Sequence, residues 1–211
     1  MNKIIRISIL LMVALFSLLP VHANSKTKNK MNTEKLQQVW DRQEIEQLLF
    51  RLTRSFDRRD ADLMKSCYWP EAVEELEDII TGQFQYNGNA WEFVPMAMQG
   101  FSFFNKTFHR LSNILIELDG DKATAETYIV AYHQFTDEDG NEKEQFVGAR
   151  QMYKFEKRNG EWKIMHRLSI WEYNQNLNST ARWIDLSKVD GRYISKRDKT
   201  DVSYQFIKNK K

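Results

Sequence analysis

Several features that would decide function quickly are missing from this sequence. Its 211 residues include one cysteine, Cys67, so an intrachain disulfide is impossible. No His-x-His or His-Glu-x-x-His spacing occurs, and no metal site is implied. A Gly-rich phosphate loop and a Gly-x-Ser-x-Gly elbow are also missing, which argues against the common nucleotide-binding and serine-hydrolase layouts. No internal repeats are found. The formal charge is only +2, and nothing points to a nucleic-acid partner. The reading therefore carries no metal and no cofactor.

One long apolar run is present, at the start. Met1 to Arg6 is short and basic, Ile7 to Leu19 holds only apolar residues and serines, and Pro20-Val21-His22-Ala23 ends in small residues. This is the layout of a secretory signal peptide cleaved after Ala23, and the run is short for a membrane span. Residues 1–23 are expected to be removed and 24–33 to form a flexible lead-in. The protein is expected in the periplasm or secreted, with no membrane attachment. Cleavage takes Lys3 and Arg6 from the 31 basic residues and balances the 29 acidic ones. An exported chain without disulfides depends on its core, and a hydrophobic content of 42% is enough to build one. Cys67, next to Leu63 and Met64 on a helical stretch, reads as a buried thiol.

The spacing predicts a first helix from Thr33 to Phe56, with Ile45, Leu48, Leu49, Leu52 and Phe56 on one stripe. Asp60 caps a short second helix, Ala61 to Cys67, which Pro70 ends. Ala72 to Thr81 is a weak strand. Asn89 to Lys106 is a third helix, apolar on nearly all sides, whose aromatics, Trp91 and Phe104 among them, suit either a core or a ligand cage. Two hairpins follow. The first joins Phe108–Leu118 to Lys122–Gln134 through Asp119-Gly120-Asp121. The second joins Gln145–Lys157 to Glu161–Tyr173 through Asn159-Gly160. Regular alternation pairs Met152 with Arg167 and Arg150 with Ser169, placing both arginines on one face. Residues 175–211 form a basic C-terminal extension. Helices followed by an antiparallel meander predict an α+β domain over 34–174. Its curved antiparallel sheet is wrapped around three N-terminal helices as a cone with an open mouth.

Three stretches carry a family likeness: Ser55-Phe56-Asp57-Arg58-Arg59-Asp60, Thr107-Phe108-His109-Arg110-Leu111-Ser112-Asn113, and Val147-Gly148-Ala149-Arg150 with Arg158 to Arg167. The sequence resembles the SnoaL-like families of the nuclear-transport-factor-2-like superfamily, a cystatin-like α+β barrel, over about Leu36 to Tyr173. The enzyme patterns it resembles are those of scytalone dehydratase and hexachlorocyclohexane dehydrochlorinase. The resemblance implies an Asp57–His109 dyad that removes a proton from a carbon. His133 matches a second histidine, Arg167 a late-sheet arginine and Tyr68, loosely, a pocket tyrosine. Phe56 stands where scytalone dehydratase has a tyrosine. Relatives of this fold associate, so a homodimer or homotrimer is expected.

Neutral imidazole is a good base near pH 7, and a carboxylate on its far nitrogen stabilises the imidazolium. His109 and His133 share a pocket if Asp119-Gly120-Asp121 is a three-residue loop with a bulge, the arrangement expected here. Arg150 and Arg167 suit either a substrate oxygen or ion pairs with Glu126 or Glu172. His166, on the opposite alternation, reads as structural. These readings give a cofactor-free lyase or isomerase with Asp57, His109, His133 and Arg167 as catalytic residues. Tyr68, Trp91, Phe104 and Arg150 would bind a small hydrophobic, cyclic or polyketide-like substrate. The alternative is a binding protein that holds a small apolar molecule without turning it over.

Overall fold

The computed structural model describes residues 21–77, 85–178 and 196–206. The signal peptide expected over 1–23 lies, up to residue 20, outside them. So do the end of the weak strand and most of the C-terminal extension. The chain divides into two compact units, residues 1–41 and 42–211. In the first, only the start of helix α1 (Val21–Arg58) is described. That helix begins ahead of the expected Thr33, and Gln37 donates to Asp41 Oδ1 at 3.1 Å.

The second unit holds the rest. Ile45, Leu48, Leu49, Leu52 and Phe56 are buried, as their stripe predicts. Arg59, at φ +48°, ends α1 in the left-handed region, and the Asp60 amide donates back to Ser55 O at 2.9 Å. Asp60 then caps α2 (Ala61–Ser66) by accepting from the Leu63 amide. Pro70 does not end that helix. It lies in strand β1 (Tyr68–Glu77), which starts four residues ahead of the expected Ala72. Strand β2 (Gln85–Asn89), which the sequence reading lacks, leads through the Asn89 cap into α3 (Ala90–Ser102). Helix α3 is less enclosed than its composition suggests. It buries Ala90, Phe93 and Val94 and leaves Trp91 and Met96 exposed.

Strands β3 (Lys106–Asp119), β4 (Lys122–Thr136), β5 (Glu142–Arg158) and β6 (Glu161–Asn178) form the two expected hairpins. The curved, unclosed six-stranded sheet has the order β2-β1-β6-β5-β4-β3. Its one departure from an antiparallel plan is the parallel pairing of β1 with β6. Burial alternates along β4 and β5, so one face meets the helices. The other exposes Phe108, Leu115, Tyr128 and Val130. Among the described residues no helix is long and apolar enough to cross a membrane.

Two bulges set which side chains face the helices. The β3–β4 loop has two residues, Gly120-Asp121, since Asp119 pairs with Lys122. The expected three-residue loop is therefore absent. A bulge between Ser112 and Leu115, with Asn113 at φ +49°, supplies the missing shift. Beyond it His109 pairs with Ala131 and Thr107 with His133, so both histidines share the inner face. In β6 a bulge after Ile164 pairs Lys154 with His166 and Tyr153 with Arg167. The expected Met152–Arg167 and Arg150–Ser169 pairs do not form. Arg167 points inward and Arg150 pairs with Ile170 on the outer face.

Candidate active site

Asp57 lies on the last turn of α1, which runs over the end of β3. One carboxylate there reaches two residues spaced i and i+2 on the strand's inner face. Asp57 Oδ1 accepts from Thr107 Oγ1 at 3.0 Å and meets His109 Nδ1 at 2.7 Å. Its Oδ2 accepts from the His109 amide at 3.2 Å. Both side chains are largely buried, His109 at 6% exposure and Asp57 at 13%. With Nδ1–H donated to Asp57, the lone pair of His109 falls on Nε2, the nitrogen a base requires. The Phe56 and Phe101 rings meet the His109 ring in T-shaped contacts, 5.4 and 5.7 Å from centre to centre.

His133 sits 5.3 Å from His109, ring centre to ring centre. Thr107, His133 and Gln145 form one row across β3, β4 and β5. His133 Nδ1 meets Gln145 Oε1 at 3.1 Å, and Phe104 stacks on its ring at 4.2 Å. Burial, with His109 beside it, lowers the His133 pKa to about 4. His133 is thus neutral near pH 7. Its Nε2 is buried without a hydrogen bond.

Arg167 stands apart from the dyad. It meets the fully buried Glu74, its β1 neighbour, through Nη2 at 2.6 Å and Nε at 2.8 Å. Tyr68 donates its hydroxyl to the other Glu74 oxygen at 3.1 Å. Desolvation works against the Arg167 charge, but Glu74 and its neighbours outweigh it and hold the guanidinium above its usual range. Desolvation raises the Glu74 pKa, with Arg167 pulling against it. Phe56 separates this cluster from the dyad, with Arg167 5.2 Å above its ring.

The remaining expected residues divide. Phe104 reaches His133. Tyr68 serves the Glu74–Arg167 pair. Trp91 does not face the dyad, because it lies on the outer side of α3 and donates Nε1 to Lys65 O at 3.1 Å. Arg150 is on the outer face of the sheet, paired with Glu172 at 2.6 Å and Glu126 at 3.1 Å. His166 is also on that side, 3.0 Å from Glu75. Burial pushes the Cys67 thiol up to about 12, which leaves it inert.

A cavity of about 210 Å³ opens on the dyad, lined by Phe50, Thr53, Arg54, Asp57, Arg58 and His109. The C-terminal segment borders it. Arg54 donates to Ser203 Oγ at 3.0 Å, Arg58 lies 3.4 Å from Asp201, and Tyr204 donates to Asp60 at 2.6 Å. Arg197 donates to Phe104 O and, at 2.9 Å, to Phe101 O, at and just past the end of α3, where these two rings pack against the histidines. The sequence reading missed Thr107, Gln145, Glu74, Arg54 and Arg197 as neighbours of the site. Thr107 had a signal, its i, i+2 spacing to His109. Glu74 had another, strand alternation with the buried Ala72.

A SnoaL-like domain model matches residues 37–168. Among solved structures, a hexachlorocyclohexane dehydrochlorinase (LinA Type2) is 19% identical with a TM-score of 0.59. The match covers 71% of this chain and 99% of that one. A candidate scytalone dehydratase from Novosphingobium aromaticivorans is 17% identical with a TM-score of 0.56, covering 67% and 91%. The Kfla4162 protein from Kribbella flavida is 19% identical with a TM-score of 0.57, covering 64% and 93%. At these identities the likeness concerns the fold. No match was found among proteins of curated function.

Proposed function

Because the chain belongs to the SnoaL-like domain family, of nuclear-transport-factor-2-like fold, we propose that it is an exported, cofactor-free lyase or isomerase acting on a small, largely hydrophobic molecule. His109 is its general base and Asp57 the group that orients it. The observation that carries this reading is the 2.7 Å contact between His109 Nδ1 and Asp57, with Thr107 and the His109 amide holding the same carboxylate. Phe56, Phe101 and Phe104 supply the apolar walls around the imidazoles.

In this mechanism His109 Nε2 takes a proton from a carbon beside a carbonyl or a leaving group. The electron pair left on carbon forms a double bond as the leaving group departs with its own pair, which is the lyase outcome. Chloride leaves as the anion, and a departing hydroxide recovers the proton from His109 as water. In the isomerase outcome the pair is held as an enolate and protonated at another carbon. Asp57 stabilises the imidazolium in either case. His133, neutral and beside the His109 ring but outside the cavity lining, offers an acceptor rather than an acid. Arg167, neutralised by Glu74, does not line the cavity and takes no part in the step.

The test uses hexachlorocyclohexane and scytalone as probes, the compounds named for the enzymes above. His109→Ala should cut turnover roughly 10²- to 10⁴-fold with an unchanged circular dichroism spectrum. Unchanged turnover removes His109 as the base. Binding of a probe without turnover, surviving His109→Ala, favours the alternative, a binding protein of the same fold.

A further inference from the structure

The arginines of the domain differ in what neutralises them. Arg167 has Glu74, Arg150 has Glu126 and Glu172, and Arg58 has the buried Asp201. Arg54 has none of these. Its Nη2 donates to the Ser203 hydroxyl, and its guanidinium lies 4.6 Å above the Tyr204 ring. Both partners are uncharged. Its Nε is buried without a hydrogen bond, and among the described residues no carboxylate pairs with it. Yet Arg54 lines the same cavity as Asp57 and His109. Asp57 lines the same cavity, but the ion pair it forms is with His109 and not with Arg54.

Arg197 repeats the pattern on the opposing segment. It donates to two backbone carbonyls, and its Nε is likewise buried and unsatisfied. Desolvation lowers its pKa, Arg59 and Arg58 lower it further, and Asp57 works against them. A partly buried cation without a counterion costs free energy, which a ligand of opposite charge would offset. The cavity is also too polar for a wholly apolar guest, since Phe50 is its only apolar side chain.

We infer that the substrate of this site carries an anionic group, a carboxylate or a phosphate ester, and that Arg54 receives it at the entrance. A guanidinium presents paired donors that suit either group. The apolar remainder of the molecule then extends past Phe50 toward His109. The inference rests on the proposed role of His109 and adds to it the charge of the substrate and the side chain that selects it.

The test reads binding and does not depend on turnover. Benzoate, phenyl phosphate and neutral benzamide are titrated into the full chain while the imidazole proton resonances of His109 and His166 are followed. A saturable shift at His109, and not at His166, is expected with at least one of the two anions, and the one that binds identifies the anionic group. Benzamide should bind roughly tenfold more weakly or not at all, the loss of about one charge-assisted hydrogen bond. Arg54→Gln should weaken anion binding by a similar factor, Arg54→Lys should retain part of it, and Arg150→Gln should leave it unchanged. Benzamide binding as tightly as the anions, Arg54→Gln binding like wild type, or no saturable shift at His109 would each overturn the inference. The comparison of benzoate with benzamide on the wild-type chain stands even if Arg54→Gln does not fold. Anion binding at His109 combined with unchanged turnover in His109→Ala would sink the base and leave the anion site.

Discussion

At the scale of single residues, Glu74 is a fully buried carboxylate balanced by Arg167. Breaking such a pair from one side leaves a charge without compensation, whereas replacing both partners removes the problem. Arg167→Met should therefore cost roughly 3–5 kcal/mol in urea denaturation, and Arg167→Met with Glu74→Leu should recover most of that loss. A small cost for the single variant would mean that Glu74 is protonated and already neutral. His133 gives a second prediction. Its pKa of about 4 lies below the unfolded value near 6.5, so the unfolded chain binds protons first. The stabilisation is present above about pH 6.5 and is lost as pH falls toward 4, by roughly 3 kcal/mol in total. The groups facing it are His109, Asp57 and Arg197. In His133→Gln the stability curve should be flatter across that window, and an unchanged slope would assign the acid sensitivity elsewhere. The dyad was legible at this scale, from the likeness of Ser55–Asp60 and Thr107–Asn113 to a known pattern. The Arg167–Glu74 pair was not, because Glu74 sits among acidic residues that weaken the strand pattern of Ala72 to Thr81.

At the scale of elements, the helices and hairpins were legible because their periodicities are strong. The Ile45-to-Phe56 stripe and the Asn159-Gly160 turn are examples. What escaped was parity. A bulge adds one residue to a strand, and nothing in the residue types of Ser112–Leu115 or Ile164–His166 compels one. Both were decided by what each strand had to bury. In β6 the bulge brings Arg167 opposite Glu74. In β3 it brings His109 and His133 to one side despite a two-residue turn. Strand β2 was missed for a related reason, since Gln85-Tyr86-Asn87-Gly88-Asn89 lacks β-branched residues and pairs only at an edge. The end of α1 allows a direct check. Arg59 occupies a left-handed conformation that costs a non-glycine residue about 1 kcal/mol. Arg59→Gly should leave the midpoint of thermal unfolding unchanged or raise it slightly, and a clear fall would show that the Arg59 side chain contributes more than its backbone costs.

At the scale of the second unit, the site depends on chain from three distant regions. Helix α1 supplies Asp57, the sheet supplies the histidines, and residues 196–206 supply the border. The last of these was read from sequence only as an extension, because its anchors are single polar side chains without periodicity. Tyr204→Phe removes one bond to Asp60, the residue that also caps α2. It should cost about 1–2 kcal/mol, seen as a lower denaturation midpoint, and a change near zero would mean the segment is held mainly by Arg197 and Asp201. The family match ends at residue 168, so Arg197, Asp201, Ser203 and Tyr204 all fall beyond the shared domain. The C-terminal border of the cavity therefore lies beyond the matched domain, whereas Arg54, Asp57 and His109 all lie within it. One rim of the cavity can thus be altered through residues 196–206 alone, with the carboxylate–imidazole contact left in place.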